Sequence, residues 1–86
     1  MILYGKGKTI GKDIRIVQLE WPVGGPLVKP LGGKLWEIRS KLDNRIARVI
    51  FIFHDQAIIL LHGFIKKTQK TPPQEITLAK KRAAKL

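Results

Sequence analysis

Hydrophobic and polar positions sort this chain into a scaffold and a working surface. The stretch from Leu35 to Ile65 is rich in Ile, Val, Leu and Phe and is punctuated by two polar pairs, Asp43-Asn44 and Asp55-Gln56. Asp and Asn accept the unusual dihedrals of tight hairpins, so each pair reads as a two-residue turn. β-branched and aromatic enrichment favours strands over helices here. The pattern predicts a three-stranded meander: Leu35 to Leu42, Arg45 to His54, and Ala57 to Ile65.

Before the meander, Gly24-Gly25-Pro26 through Pro30-Leu31-Gly32-Gly33 reads as a loop by composition. Earlier still, Ile10, Ile14, Val17 and Trp21 recur at helical spacing, which predicts a helix over Thr9 to Trp21 ended by Pro22. Ile14, Ile16 and Val17 would also suit a strand. At the other end Pro72-Pro73 marks a helix start. Ile76, Ala79, Ala83 and Leu86 then line one face, with Lys80, Lys81, Arg82 and Lys85 largely elsewhere.

Counting register from the turns makes the sheet concrete. Leu42 then opposes Arg45, Ser40 opposes Ala47, and Arg39 opposes Arg48. Two arginines directly across a ladder repel, a cost most readily met when an anion lies between them. Continuing over the second turn, Arg48 opposes Gly63. Glu37, Lys41, Ile50 and Leu61 share the arginine face, whereas Trp36, Ile38, Val49, Phe51, Phe53 and Leu60 form the face expected to be buried. A slip of one residue would exchange the faces.

Composition adds a partner. The 86 residues carry 17 Lys and Arg against 6 Asp and Glu, a formal charge of +11. Seven of those bases and one acid, Glu75, fall between Lys66 and Leu86, so the expected partner is a polyanion, above all nucleic acid. The size fits one domain, residues 1–86, burying about 60–65% of its unfolded surface. No cysteine is available as nucleophile, zinc ligand or disulfide. No apolar run reaches the roughly 20 residues a bilayer requires, and MILYGKGK lacks signal-peptide order, so a cytoplasmic protein is expected.

Candidate chemistry follows from placement. Arg39 and Arg48 would clamp a phosphate through planar guanidinium forks, with Lys66, Lys67 and Lys70 at the rim. Lys41, Arg45 and Lys81 extend the basic surface. Against this stands a plain solvated face whose arginines splay into water. Glu37 is the acid near the arginines, and a simple salt bridge competes with a catalytic role. His62, in phase with Ile38 and Val49, reads first as a partly buried, hydrogen-bonded histidine and second as an acid or base. Trp21 and Trp36 read as core, and His54 as surface. No metal site and no cofactor are expected.

LWEIRSKL, RIARVIFIFHD and LLHGFIKKTQKTPPQEITLAKKR, with IGKDIRIVQLEWPVGGPLVKPLGGKLWEIR before them, resemble the RelE/ParE toxin superfamily in its HigB-like, phage-derived branch. The likeness runs from about Ile10 to the end. It implies an α+β fold, a small antiparallel sheet with helices packed on one face and a concave basic face. It also implies the toxin of a type II toxin–antitoxin system, an mRNA interferase cutting messages at the translating ribosome without metal or cofactor. Its implied partners are mRNA, the ribosome and a helix-turn-helix antitoxin. By motif, Arg39, Arg48, Lys66 and Lys67 take the catalytic positions, with Lys70 close behind.

Family members carry a strand and a helix before the segment matching Ile10, whereas here MILYGKGKT precedes it. A shortened, inactive relative that only binds RNA or its antitoxin is therefore a competing expectation. A gyrase inhibitor of the superfamily's other branch is a third, opposed by the basic cluster.

Overall fold

A computed structural model describes residues 6–25, 27–66 and 70–86 of the chain, with the side chains of residues 6–8 and 66 left out. Helix α1 spans Lys6–Glu20, strands β1 to β4 span Val28–Gly32, Leu35–Lys41, Ile46–His54 and Ala57–Lys66, and helix α2 spans Pro73–Ala83. The strands form one antiparallel sheet in chain order, β1-β2-β3-β4. The class is α+β, as the sequence implies.

The meander forms where its pattern places it. Leu42 N–H donates to the Arg45 carbonyl at 2.9 Å, closing the first turn. Asp55 and Gln56 both take positive φ, 49° and 62°, which is what a primed hairpin turn requires. Arg39 pairs with Arg48 and Ser40 with Ala47, as counted.

Beyond that the count fails by one. Phe51 pairs with Leu60 but Ile50 pairs with His62, so Leu61 is an extra residue forming a β-bulge. Arg48 therefore lies opposite Phe64 rather than Gly63. His62 changes sides with it: it is in register with Ile50, not in phase with Ile38 and Val49.

Strand β1 lies inside the segment read as a loop. Pro30 and Gly32 weaken any strand signal, yet β1 is an edge of the sheet, where a missing N–H is tolerated. Gly32, Gly33 and Lys34 turn the chain back with φ of 89°, 58° and 68°.

Each face of the sheet carries its own core. On one, Val17 of α1 packs with Val28, Ile38 and Phe51, joined by Ile14, Trp21 and Trp36. Trp21 meets Trp36 edge-on at 5.1 Å and Phe51 at 5.2 Å. On the other, Ala79 of α2 packs with Leu35, Ile50 and Leu61, joined by Ile76 and Ala83. The helices are thus divided between the two faces rather than sharing one. Leu35, Ile50 and Leu61 supply enough apolar surface on the arginine side to hold a helix of their own.

This division redistributes burial. Phe53 and Leu60, expected inside, are about half exposed, because α1 packs on β2 and leaves the β4 side open. Leu86, expected on the apolar stripe, lies past the end of α2 and is exposed. The C-terminal helix starts as its prolines predict, with Pro72 at the N-cap and Pro73 opening the first turn.

Candidate nucleic-acid interface

Strand alternation places Glu37, Arg39 and Lys41 on the same side of β2, and the ladder sets Arg48 beside Arg39. The anion between the arginines is internal. Arg48 donates from Nη1 to Glu37 Oε1 at 2.7 Å, while Arg39 Nε lies 3.8 Å from the same oxygen. The other Glu37 oxygen accepts from Thr71 Oγ1, which arrives from the segment between β4 and α2. Glu37 and Arg48 are both 0% exposed, whereas the Arg39 side chain is 24% exposed.

This geometry separates residues that the sequence treats as equivalent. Arg39 is the arginine that reaches solvent. Arg48 holds Glu37, and through it the position of Arg39. Burying two unlike charges is tolerated when each is paired and hydrogen-bonded, and Thr71 adds the bond that completes the carboxylate.

Around Arg39 the sheet end gathers further cations. Lys41 closes β2, Arg45 lies in the turn to β3, and both are exposed. Ile46 links Lys41 on one side to Lys66 on the other, so the end of β4 reaches the same edge. Lys70, exposed, is the first described residue after Lys66 and lies next to the Thr71 that reaches Glu37. Lys67 lies outside the described residues. Lys81 is not brought to this end: it sits in the last turn of α2, beside Arg82, which donates to the Leu61 carbonyl at 2.7 Å.

A small groove opens where β1 pairing stops. Thr9, Asp13, Leu27, Arg39 and Lys41 line it, and Arg39 N–H donates to the Leu27 carbonyl at 2.8 Å at its base. It gives Arg39 and Lys41 a common open approach.

His62 belongs to a different cluster. Its Nε2 contacts Glu75 Oε2, and Arg82 Nη1 lies 3.2 Å from Nδ1. Arginine only donates, so Nδ1 accepts and the ring proton is on Nε2, directed at the carboxylate. Phe64 stacks on the ring at 5.5 Å. The histidine is partly buried and hydrogen-bonded, and its two nitrogens tie β4 to α2.

Sequence reasoning missed Thr71, Glu75, Arg82 and Asp13 as parts of these arrangements. Glu75 and Arg82 are seven residues apart, two helical turns, and so share a side of α2. That spacing was available as a signal. Among the described residues no group of three or more His, Asp or Glu is placed to hold a metal ion.

A basic sheet end thus lies over a buried ion-pair network on a small α+β scaffold. The chain belongs to the family described as Phage derived protein Gp49-like (DUF891), whose model matches residues 5–84. No curated protein and no solved structure matches the chain.

Proposed function

We propose that the protein is an mRNA interferase, the toxin of a toxin–antitoxin pair, acting in the cytoplasm on messages at the translating ribosome. The observation that carries this reading is the convergence of Arg39, Lys41 and Arg45 on one end of one sheet, with Lys70 next to the Thr71 that bonds Glu37, where core packing demands none of them. In the reaction the ribose 2′-hydroxyl oxygen bonds to the adjacent phosphorus and the bond to the 5′ oxygen breaks. Charge builds on the phosphoryl and leaving oxygens, and cations fixed beside them lower the barrier. Arg39 is the residue that meets the phosphate, Lys41 and Lys70 flank it, and Arg48 positions Arg39 through Glu37.

Neither expected acid–base residue is disposed for proton transfer. Both Glu37 oxygens are engaged by Arg48 and Thr71, and both His62 nitrogens by Glu75 and Arg82. Among the described residues lining the groove with Arg39 and Lys41, Asp13 carries the carboxylate able to accept the 2′-hydroxyl proton. No metal enters this scheme. The partners are mRNA and ribosome, with a helix-turn-helix antitoxin to neutralise the toxin.

Burial of Arg48 favours one second reading, a domain that binds RNA without cutting it. Inducible expression in bacteria separates the two. Growth arrest with new in-frame mRNA 5′ ends, both lost in Arg39→Ala, supports cleavage. Normal growth and intact messages from folded wild-type protein overturn it and leave binding.

A further inference from the structure

At the opposite end of the sheet, on the α1 side, an open pocket of about 400 Å³ is lined by Gln18, Trp21, Phe53, Gln56, Ala57 and Ile58. Its volume lies within the range of small-ligand sites, roughly 300–1,000 Å³. Three independent features converge there. Phe53 is 48% exposed, an aromatic ring left half in water beside Trp21, with centroids 6.1 Å apart and planes tilted by 33°. Trp21 is held from behind by edge-on contacts to Trp36 and Phe51, which fix the platform before anything binds. Gln56 occupies a left-handed position, φ 62°, where the second residue of a primed turn favours glycine.

A long side chain kept in the conformation where glycine is preferred, at a residue that lines the pocket, is a local misfit of the kind found at binding sites. Gln18 supplies a second amide from α1. Rings offer stacking to any planar heteroaromatic, and an amide presents one acceptor and two donors to the edge of such a ring. The geometry points to a nucleobase-binding slot formed by Phe53 and Trp21, with Gln56 and Gln18 contacting the base edge.

The slot is distinct from the basic end. Phe53 lies seven residues along β3 from Ile46, about 23 Å at roughly 3.3 Å per residue. Aromatic stacking with amide contacts is how proteins hold unpaired bases of single-stranded RNA. Free nucleosides offer the same chemistry without the phosphates, so the two sources can be told apart. The inference does not rest on RNA cleavage.

The test is titration of the whole chain, followed by tryptophan fluorescence, with adenosine and uridine and separately with a short oligoribonucleotide. Phe53→Ser removes the ring. Gln56→Gly removes the amide while easing the turn, so the fold is kept. Saturable quenching is expected, at least tenfold weaker in Phe53→Ser, with altered preference between the two bases in Gln56→Gly. Quenching by nucleosides identifies a free base as sufficient. Quenching by the oligomer alone, still lost in Phe53→Ser, identifies a strand-borne base. No saturable quenching by either, or quenching equal in wild type and both variants, overturns the slot, whatever the outcome of the cleavage experiment.

Discussion

Arg48 donates from Nη1 to Oε1 of Glu37 at 2.7 Å, and both side chains are sealed from water. Their sites are eleven residues apart in sequence but diagonal neighbours on one face of the β2–β3 ladder. Truncating one partner leaves the other charge buried without its counter-ion. Glu37→Ala and Arg48→Ala are each expected to lose about 3–5 kcal/mol of stability, whereas joint replacement by Leu and Met recovers most of it. Urea unfolding with all three variants checks this. Two additive single losses in the double variant would refute the pairing as the cause.

Arg39 behaves differently because its side chain reaches solvent. Arg39→Ala is expected to leave the unfolding midpoint nearly unchanged while weakening RNA binding. Its signature is a salt dependence of log K reduced by about one unit, the release of roughly one fewer counterion. Fluorescence anisotropy with an oligoribonucleotide at several salt concentrations measures it, and an unchanged slope would remove Arg39 from the interface.

His62, Glu75 and Arg82 fasten α2 to β4. His62→Ala strips a partner from the Glu75 carboxylate and the Arg82 guanidinium together, at an expected cost of about 1–3 kcal/mol. Amide exchange should accelerate first in Pro73–Ala83 while β2 and β3 stay protected. Uniform acceleration across the sheet would show that the cluster is not a local fastener.

Cores on both faces make matched demands. Ile38, under α1, and Ile50, under α2, are each 0% exposed. Ile38→Ala and Ile50→Ala are each expected to cost about 2–5 kcal/mol by chemical denaturation. A sheet with one solvated face would tolerate one of them nearly free.

Much of this was legible in the chain. The two polar turns set the register of β2 against β3, so the Arg39–Arg48 pair could be counted from residue types alone. Three things could not. β1 was hidden because Pro30 and Gly32 are strand breakers in general and acceptable at an edge in particular. The bulge at Leu61 carries no compositional mark, since Leu60, Leu61 and His62 suit a regular strand equally well. The burial of the arginine face depends on where α2 folds back, a long-range choice that Ile76, Ala79 and Ala83 permit without specifying. The candidate site was legible in part: its members were named, and the counter-ion between the arginines is Glu37, the salt-bridge reading of that residue, rather than a bound phosphate.

The extra residue at Leu61 has a reach well beyond its own strand. Everything from His62 onward is placed one step out of phase with a straight ladder, including the approach of Thr71 to Glu37 and of Glu75 to His62. Removing one residue at that point would keep every charge and every other hydrophobe in the last third of the chain. It would also present them to the wrong sides of the sheet. Tolerance to change along this segment is therefore governed by count rather than by character: swaps of similar residues are mild, and single-residue insertions or deletions are severe.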